Sequence, residues 1–240
     1  MSLGGDAPMR VVIVTGTDTG VGKTVTTAAL ARIGLDRGLK VAVVKPAQTG
    51  VSAGEPTDMA VIERLSGCRH LTELVRLSDA LAPDSAARRA GIEIPRVAQL
   101  ATQSLSAAAG CDLLLVEGSG GVAVRLDTAG GTLLDLADAL AHEDATAEFV
   151  VVTRLALGTL NHTELTVTAI RTGGHPVTGL VVGAVPDPLG LAEQSNLSDL
   201  PRVTGLPVLG SLPEGVGHWQ PARFRATCAQ WFDSDWLVQP

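Results

Sequence analysis

The stretch RVVIVTGTDTGVGKTVTTAALA, Arg10–Ala31, constrains the fold more than any other part of the chain. A short apolar run, Val11–Val14, gives way to a loop with glycines at 16, 20 and 22, then a Lys-Thr pair, then an alanine-rich segment of helical pattern. A buried strand must turn through a loop poor in Cβ atoms straight into a helix. Glycine lets backbone N–H groups approach a ligand closely, and the helix N-terminus adds further donors and the positive end of its dipole. That combination is a cradle for phosphate. In it Lys23 reaches the β and γ oxygens and the Thr24 hydroxyl serves a magnesium ion. The common spacing Gly-x4-Gly-Lys-Thr is not fully kept, because Thr17 stands at the first glycine position and Gly16 lies one residue earlier. The core Gly20-Val21-Gly22-Lys23-Thr24 is intact.

The rest of the chain repeats the strand-then-helix rhythm. Buried strands are expected at Arg10–Gly16, Lys40–Pro46, Cys111–Gly118, Glu148–Arg154, Val177–Val185 and Leu206–Leu212. Helices are expected at Lys23–Arg37, Asp58–Leu65, Arg96–Ala109, Leu133–His142, Leu160–Arg171 and near Pro221–Phe232. Such repeated units build a mostly parallel sheet covered on both faces. The composition agrees: apolar residues make up 45%, aromatics only 2%, and tyrosine is missing, so the core must be Val, Leu, Ile and Ala. At 240 residues, with no repeat or linker, residues 1–240 read as one α/β domain, preceded over 1–9 by a disordered N-terminal extension. Thr49–Thr57 reads as a loop, and Ser78–Arg96 is left without an assigned structure.

The net charge of -7 and the want of a basic stripe or stacking aromatics argue against a nucleic-acid partner. Cys68, Cys111 and Cys228 have no metal-like spacing and read as reduced thiols. No apolar run is long enough for a signal peptide or a membrane span, so a cytoplasmic protein is expected.

In parallel sheets ligands bind beyond the carboxyl ends of the strands. The polar groups Thr17–Thr24, Lys45–Thr49, Glu117–Gly121, Arg154–Asn161 and Gly183–Asp187 each follow a strand end, so five strand ends should face one crevice. Lys45 closes the second strand. It is either a solvated strand end or a second cation beside the γ-phosphate, and strand geometry favours the cation. Glu117, followed by Gly118, Ser119, Gly120 and Gly121, is placed to hold magnesium. Asp58 is equally a metal ligand or a helix N-terminal acid. Gly158, Thr159, Leu160 and Asn161 resemble a turn into a helix whose first N–H groups can take a carboxylate. His162 invites a general-base reading, but a polar helix-start residue describes it as well.

Taken together and in order, VTGTDTGVGKT, KPAQTG, an aspartate, VEGSGG, LGTLNH and LGSLP resemble the dethiobiotin synthetase family, from about Arg10 to Pro213. The resemblance implies a P-loop NTPase fold with about seven strands. It implies ATP and magnesium as cosubstrate and cofactor, with 7,8-diaminononanoate and carbon dioxide as partners. The implied reaction passes through a carbamate that ATP phosphorylates and a second amine that closes the ureido ring, in biotin synthesis. Lys23, Lys45 and Thr19 are the catalytic candidates. Thr24, Asp58 and Glu117 become the metal set, which decides between the two readings of Asp58. The nucleotide set is Gly20, Val21, Gly22, Lys23, Thr24, Val25, Asp58, Glu117, Gly118, Ser119, Gly120, Gly183, Ala184, Pro213, Glu214 and Gly215. The substrate set is Lys45, Thr49, Gly121, Gly158, Thr159, Leu160 and Asn161, the helix opening being contributed across a homodimer.

Three departures qualify the resemblance. Gly183-Ala184 replaces an Asn-Asp whose asparagine reads adenine, so other nucleoside triphosphates are expected to serve. Ala156 replaces a basic residue of some members. Ser119 replaces an alanine and is expected to be neutral. The alternative reading is a nucleotide-switched partition-type ATPase, but those carry a lysine where this chain has Asp18. A cobyrinate-type amidating synthetase would need a glutaminase domain for which there is no room. A nucleotide-binding protein without ligase activity would not need Lys23, Thr24, Lys45, Asp58 and Glu117 together.

Overall fold

The computed structural model describes residues 8–51 and 54–233. In chain order the elements are β1 (Arg10–Gly16), α1 (Lys23–Asp36), β2 (Val41–Lys45), β3 (Gln48–Thr49), α2 (Asp58–Ser66), β4 (His70–Glu73), β5 (Arg76–Leu77), α3 (Pro83–Ala90) and α4 (Val97–Ala107). They continue with β6 (Leu113–Gly121), α5 (Leu133–His142), β7 (Ala147–Thr153), α6 (Thr159–Thr172), β8 (Val177–Val185), α7 (Leu191–Thr204), β9 (Val208–Pro213) and α8 (Pro221–Thr227). Seven strands form one sheet in the order β4-β2-β6-β1-β7-β8-β9, and every pairing in it is parallel. β3 and β5 pair as a separate two-stranded sheet.

The strands are apolar throughout because both faces are covered. Along β1, Val11 and Ile13 face one core and Val12 and Val14 the other. The first core is completed by residues of α3 to α7, the second by α1, α2 and α8. The second core also takes in Phe224, Cys228 and Phe232, so the C-terminal segment packs on the domain; residues 234–240 of that segment lie outside the described residues. Leu, Val and Ala fill most of the interior, with Phe149 the one aromatic side chain on a main-sheet strand. The three cysteines are buried and free.

Several elements differ from the sequence reading. β4 supplies the seventh strand, but HLTE carries no apolar run; it is an edge strand, partly exposed, and needs only one buried face. β6 runs on to Gly121 instead of stopping at Gly118, because after a register shift between Val14 and Gly16 of β1 its end pairs Gly121 with Gly16. The expected loop Thr49–Thr57 begins with β3. α3 fills part of the unassigned Ser78–Arg96 segment, and α7, polar on most of its surface, was not expected at all. Residues 1–7 of the expected N-terminal extension lie outside the described residues, whereas Met9 packs against the core.

β1 lies between β6 and β7; the connection after β1 runs past β6 to β2, and that after β7 runs the opposite way to β8. This is the topological switch point at which parallel sheets open a crevice, and the glycine-rich loop sits at its mouth.

Candidate active site

A cleft of about 710 Å³ opens beyond the ends of β1, β2 and β6. Its floor is the loop before α1. Gly22 is the N-cap of α1 in a left-handed conformation (φ 100°), with no side-chain cap and no acidic residue in the first turn, so the opening N–H groups face the cleft unneutralised. Gly16 does the work of the displaced first glycine. A Cβ there would lie 2.8 Å from Val21 Cγ2 and 2.9 Å from the Asp18 carbonyl, so the loop folds down onto it. Lys23 donates to that Asp18 carbonyl at 2.9 Å. Burial, then the nearby Lys45, lowers its pKa to about 8.

Lys45 ends β2 in the same cleft, 3% exposed. Its ammonium lies 2.6 Å from Asp58 Oδ2 and 2.8 Å from Glu117 Oε1, and donates to the Gly118 carbonyl at 3.1 Å. Burial works against its charge, but Glu117 and Asp58 more than offset it and hold the pKa above the ordinary lysine value. Asp58 opens α2, where Thr57 caps the helix and Gln48 Oε1 accepts the Asp58 N–H at 3.1 Å. Burial would raise the Asp58 carboxyl, yet Lys45 beside it brings it below its usual range. Glu117 is fully buried; burial raises its pKa despite the pull of Lys45. Thr24 Oγ1 donates to Glu117 Oε1 at 2.9 Å, while Glu117 Oε2 is buried with no hydrogen-bond partner.

These residues fit a divalent cation. A threonine hydroxyl and two carboxylates are hard oxygen donors, and the orphaned Oε2 is a buried acceptor that calls for a partner. They are too few to cage an ion alone, and among the described residues no group of three or more His, Cys, Asp or Glu gathers as a metal centre. A magnesium ion held by one or two carboxylates and substrate phosphates needs no more.

The scan of family models matches the chain over residues 10–216 to one described as an AAA domain. The ATP-dependent dethiobiotin synthetase BioD of Rhodococcus jostii (strain RHA1) is 52% identical over 229 residues, covering 95% of this chain and 97% of the relative. The proteins of that name from Streptomyces coelicolor and Mycobacterium leprae (strain TN) are each 46% identical, over 93% and 96% of this chain and 92% and 98% of their own. The chain belongs to the dethiobiotin synthetase family. Among solved structures, the septum site-determining protein MinD of Pyrococcus horikoshii, complexed with Mg-ADP, superposes with a TM-score of 0.59 at 17% identity, over 95% of this chain and 94% of that one. The signal recognition particle receptor FtsY of Elizabethkingia anophelis, in complex with GDP, gives 0.53 at 19% over 97% and 66%. At such identities the likeness is of fold: this synthetase-family chain has the P-loop NTPase architecture.

Within that architecture the expected residues divide. Thr19, Gly20, Gly22, Lys23, Thr24, Val25, Lys45, Thr49, Asp58, Glu117, Ser119 and Gly120 line the cleft. Val21, Gly118 and Gly121 do not line it; a Cβ on Gly118 would meet Leu133 at 2.5 Å. Gly158 to Asn161, Gly183, Ala184 and Pro213 to Gly215 do not line it. Of the five strand ends expected at one crevice, three supply cleft residues and two brace the loop from behind. Gly183 of β8 is pressed against the loop so closely that a Cβ would fall 1.9 Å from the Val21 carbonyl oxygen. Arg154, after β7, places its guanidinium 3.6 Å from Asp18 and 3.4 Å from His162 Nδ1, which leaves His162 on the first turn of α6 and outside the cleft.

Thr159 also differs from expectation. Its side chain is fully buried, donating to the Arg154 carbonyl at 2.6 Å and lying 2.8 Å from the Thr153 hydroxyl. Its hydroxyl is spent on seating α6, which leaves the backbone of this turn and the exposed Asn161 side chain for a ligand. Glu214 donates its N–H to the Val185 carbonyl, and Gly217 lies against Val25 near the start of α1, which brings the turn after β9 close to that helix start. Ser119 donates to the Ala47 carbonyl at 2.5 Å and ties the β6 glycines to the end of β2.

Sequence reasoning assigned no role to the apolar part of the lining. Val51, Pro56, Ala80, Leu81, Ala82, Pro83 and Val124 line the cleft together with the charged residues. The β3–β5 pairing and the close approach of Gly50 to Ala80 bring Val51 and the Ala80–Pro83 segment together.

Proposed function

We propose that this cleft carries out the ATP-dependent closure of 7,8-diaminononanoate with carbon dioxide to dethiobiotin, releasing ADP and phosphate. The observation that carries the reading is the meeting of Lys23, Lys45, Thr24, Asp58 and Glu117 in a cleft whose lining also includes Val51, Leu81, Pro83 and Val124. Charged groups for phosphate chemistry and apolar ones for an alkyl chain suit a diamine with a hydrocarbon tail.

One amine of the substrate adds to carbon dioxide to form a carbamate. A carbamate oxygen then attacks the γ-phosphorus, ADP leaves, and a carbamic-phosphoric anhydride remains. The second amine attacks its carbonyl carbon, phosphate departs with the bonding pair, and the ureido ring closes. The difficulty lies in bringing two anions together. Lys23 on the γ-phosphate and Lys45 beside the carbamate offset that repulsion, the Thr19 hydroxyl orients the transferring group, and Gly118 to Gly121 let backbone lie close under the reacting atoms. Thr24, Asp58 and Glu117 would hold magnesium, which supplies further neutralisation of phosphate charge when bound. Excluding water protects the anhydride from hydrolysis.

The α6 opening, Gly158 to Asn161, lies away from its own chain's cleft, and exposed Leu157 and Leu165 stand beside it. This supports a homodimer in which that opening holds the carboxylate of a substrate bound mainly to the other copy. The three free cysteines suit a cytoplasmic enzyme. Among the described residues no helix is long and apolar enough to cross a membrane.

Phosphate release from ATP and bicarbonate, with and without 7,8-diaminononanoate, tests the reading. Release is expected to depend on the diamine and to fall about 10²–10³-fold in Lys45→Gln, the scale of losing one preorganised charge. Release indifferent to the diamine would refute it. The same assay with CTP and GTP tests the base. Gly183 has no side chain to offer an edge of the base and no room for one, so turnover within about tenfold of ATP is expected, the scale of one or fewer hydrogen bonds. A steep preference for ATP would overturn that part.

A further inference from the structure

Lys45 rests on the oxygens that the metal assignment also needs. Its ammonium touches Asp58 Oδ2 and Glu117 Oε1, and Thr24 Oγ1 donates to the same Glu117 oxygen. Two carboxylates so close in a poorly solvated place require positive charge nearby. Lys45 supplies one unit to two negative groups; a divalent cation would supply two. Ammonium and metal held on the same pair of carboxylates would repel each other at short range, where little water screens them.

We propose that Lys45 and the divalent metal compete for the Asp58–Glu117 pair, so that metal arriving with nucleotide releases Lys45 into the cleft to meet the carbamate. The inference rests on the assignment of the metal to Thr24, Asp58 and Glu117. The geometry provides a route for the exchange. Glu117 Oε2 is buried without a partner, so a cation can engage that oxygen while Lys45 still holds Oε1. Lys45 lines the cleft, so its displaced ammonium has somewhere to go, and the Gly118 carbonyl anchors it in the resting position. The consequence is selectivity for metal–nucleotide over metal alone. Without phosphate oxygens to complete its shell and offset its charge, a bare ion must displace the lysine unaided.

The test is titration of Mn2+ alone, without nucleotide, followed by the EPR signal of the free ion. Lys45→Met should bind Mn2+ at least about tenfold more tightly than the unmodified chain, as removal of an adjacent like charge requires. Lys45→Arg, which keeps the charge, should stay near the unmodified chain. Adding Glu117→Gln to Lys45→Met should abolish the gain. If Lys45→Met binds no more tightly while Glu117→Gln still weakens its binding, the metal assignment stands and the competition is refuted. If Glu117→Gln changes nothing, the metal assignment falls and the inference with it. A measurement on the unmodified chain covers the case in which Lys45→Met does not fold. Acylation of Lys45 by an amine reagent, read by mass spectrometry, should rise when Mg2+ and ADP are added; unchanged or lower labelling overturns the proposal.

Discussion

The two sides of the phosphate loop are built on opposite principles. On the β2–β6 side the loop faces charge: Lys45, Asp58 and Glu117 are buried or half-buried and neutralise one another within 3 Å. On the β7–β8 side it faces shape: Gly183 leaves no space beneath Val21, and the Thr153, Thr159 and Thr163 hydroxyls pack against one another under α6. On the proposed reading one side exchanges partners during the reaction, and ions whose pairing can change suit that. The other must not move, so it is made of contacts that tolerate no added atom. The same loop is thus reactive on one flank and rigid on the other.

If this division is right, damage to the charged side should be the larger and should depend on pH. Lys45→Gln leaves two carboxylates without their cation and is expected to cost about 3–5 kcal/mol of stability near pH 8, the scale of breaking a buried ion pair. The loss should shrink as pH falls, because Glu117, whose pKa burial already raises, takes up a proton and removes the repulsion. Urea unfolding at pH 5.5 and pH 8 measures both; a cost independent of pH would place the damage in packing. Gly183→Ala sharpens the other half of the comparison. It should cost about 1–3 kcal/mol in melting experiments, as overpacking does, at every pH, and weaken nucleotide binding in the same samples. A silent Gly183→Ala would mean that the loop is not braced from β8.

The smallest effect concerns Lys23. Its pKa of about 8 lies below the ordinary lysine value of 10.5, so between these two values the unfolded chain binds more protons than the folded one. Its contribution to stability therefore rises with pH through that window. Phosphate affinity moves the opposite way, since the lysine that should meet the phosphate loses its charge. ADP affinity, measured by calorimetry, should fall above pH 8 by no more than about tenfold per unit. A flat profile to pH 10 would show that the cleft holds Lys23 charged.

Most of the charged flank was readable in the sequence, and most of the rigid flank was not. The β1–loop–α1 unit announces itself because its glycine spacing and its change of period are local. Lys45 and Glu117 stand out as charges closing apolar strands. Asp58 could not be separated from a helix cap by local pattern, because what distinguishes it is Lys45, 2.6 Å away and thirteen positions earlier in the chain. Gly183 was noticed for the side chain it lacks, whereas its importance lies in the atom it abuts. Nothing near Thr159 in the sequence says that its hydroxyl turns inward to Arg154. The apolar part of the lining depends on a two-residue strand pairing, which leaves no periodicity to detect. β4 and α7, polar along much of their length, hide for the same reason: elements with one buried face carry half the signal.

The order of the strands also bears on how the chain comes into being. β1 and β2 do not pair with each other; both pair with β6, which lies between them, Arg10 and Val41 alike facing Leu113. A ribosome that has delivered the phosphate loop and Lys45 has not yet delivered the strand that joins them. Until Gly121 has emerged, the loop and the second lysine have no common sheet to stand on, and long-range pairing of this kind is slow to nucleate. An unfinished chain therefore carries the glycine-rich loop and Lys45 before the strand that sets them side by side.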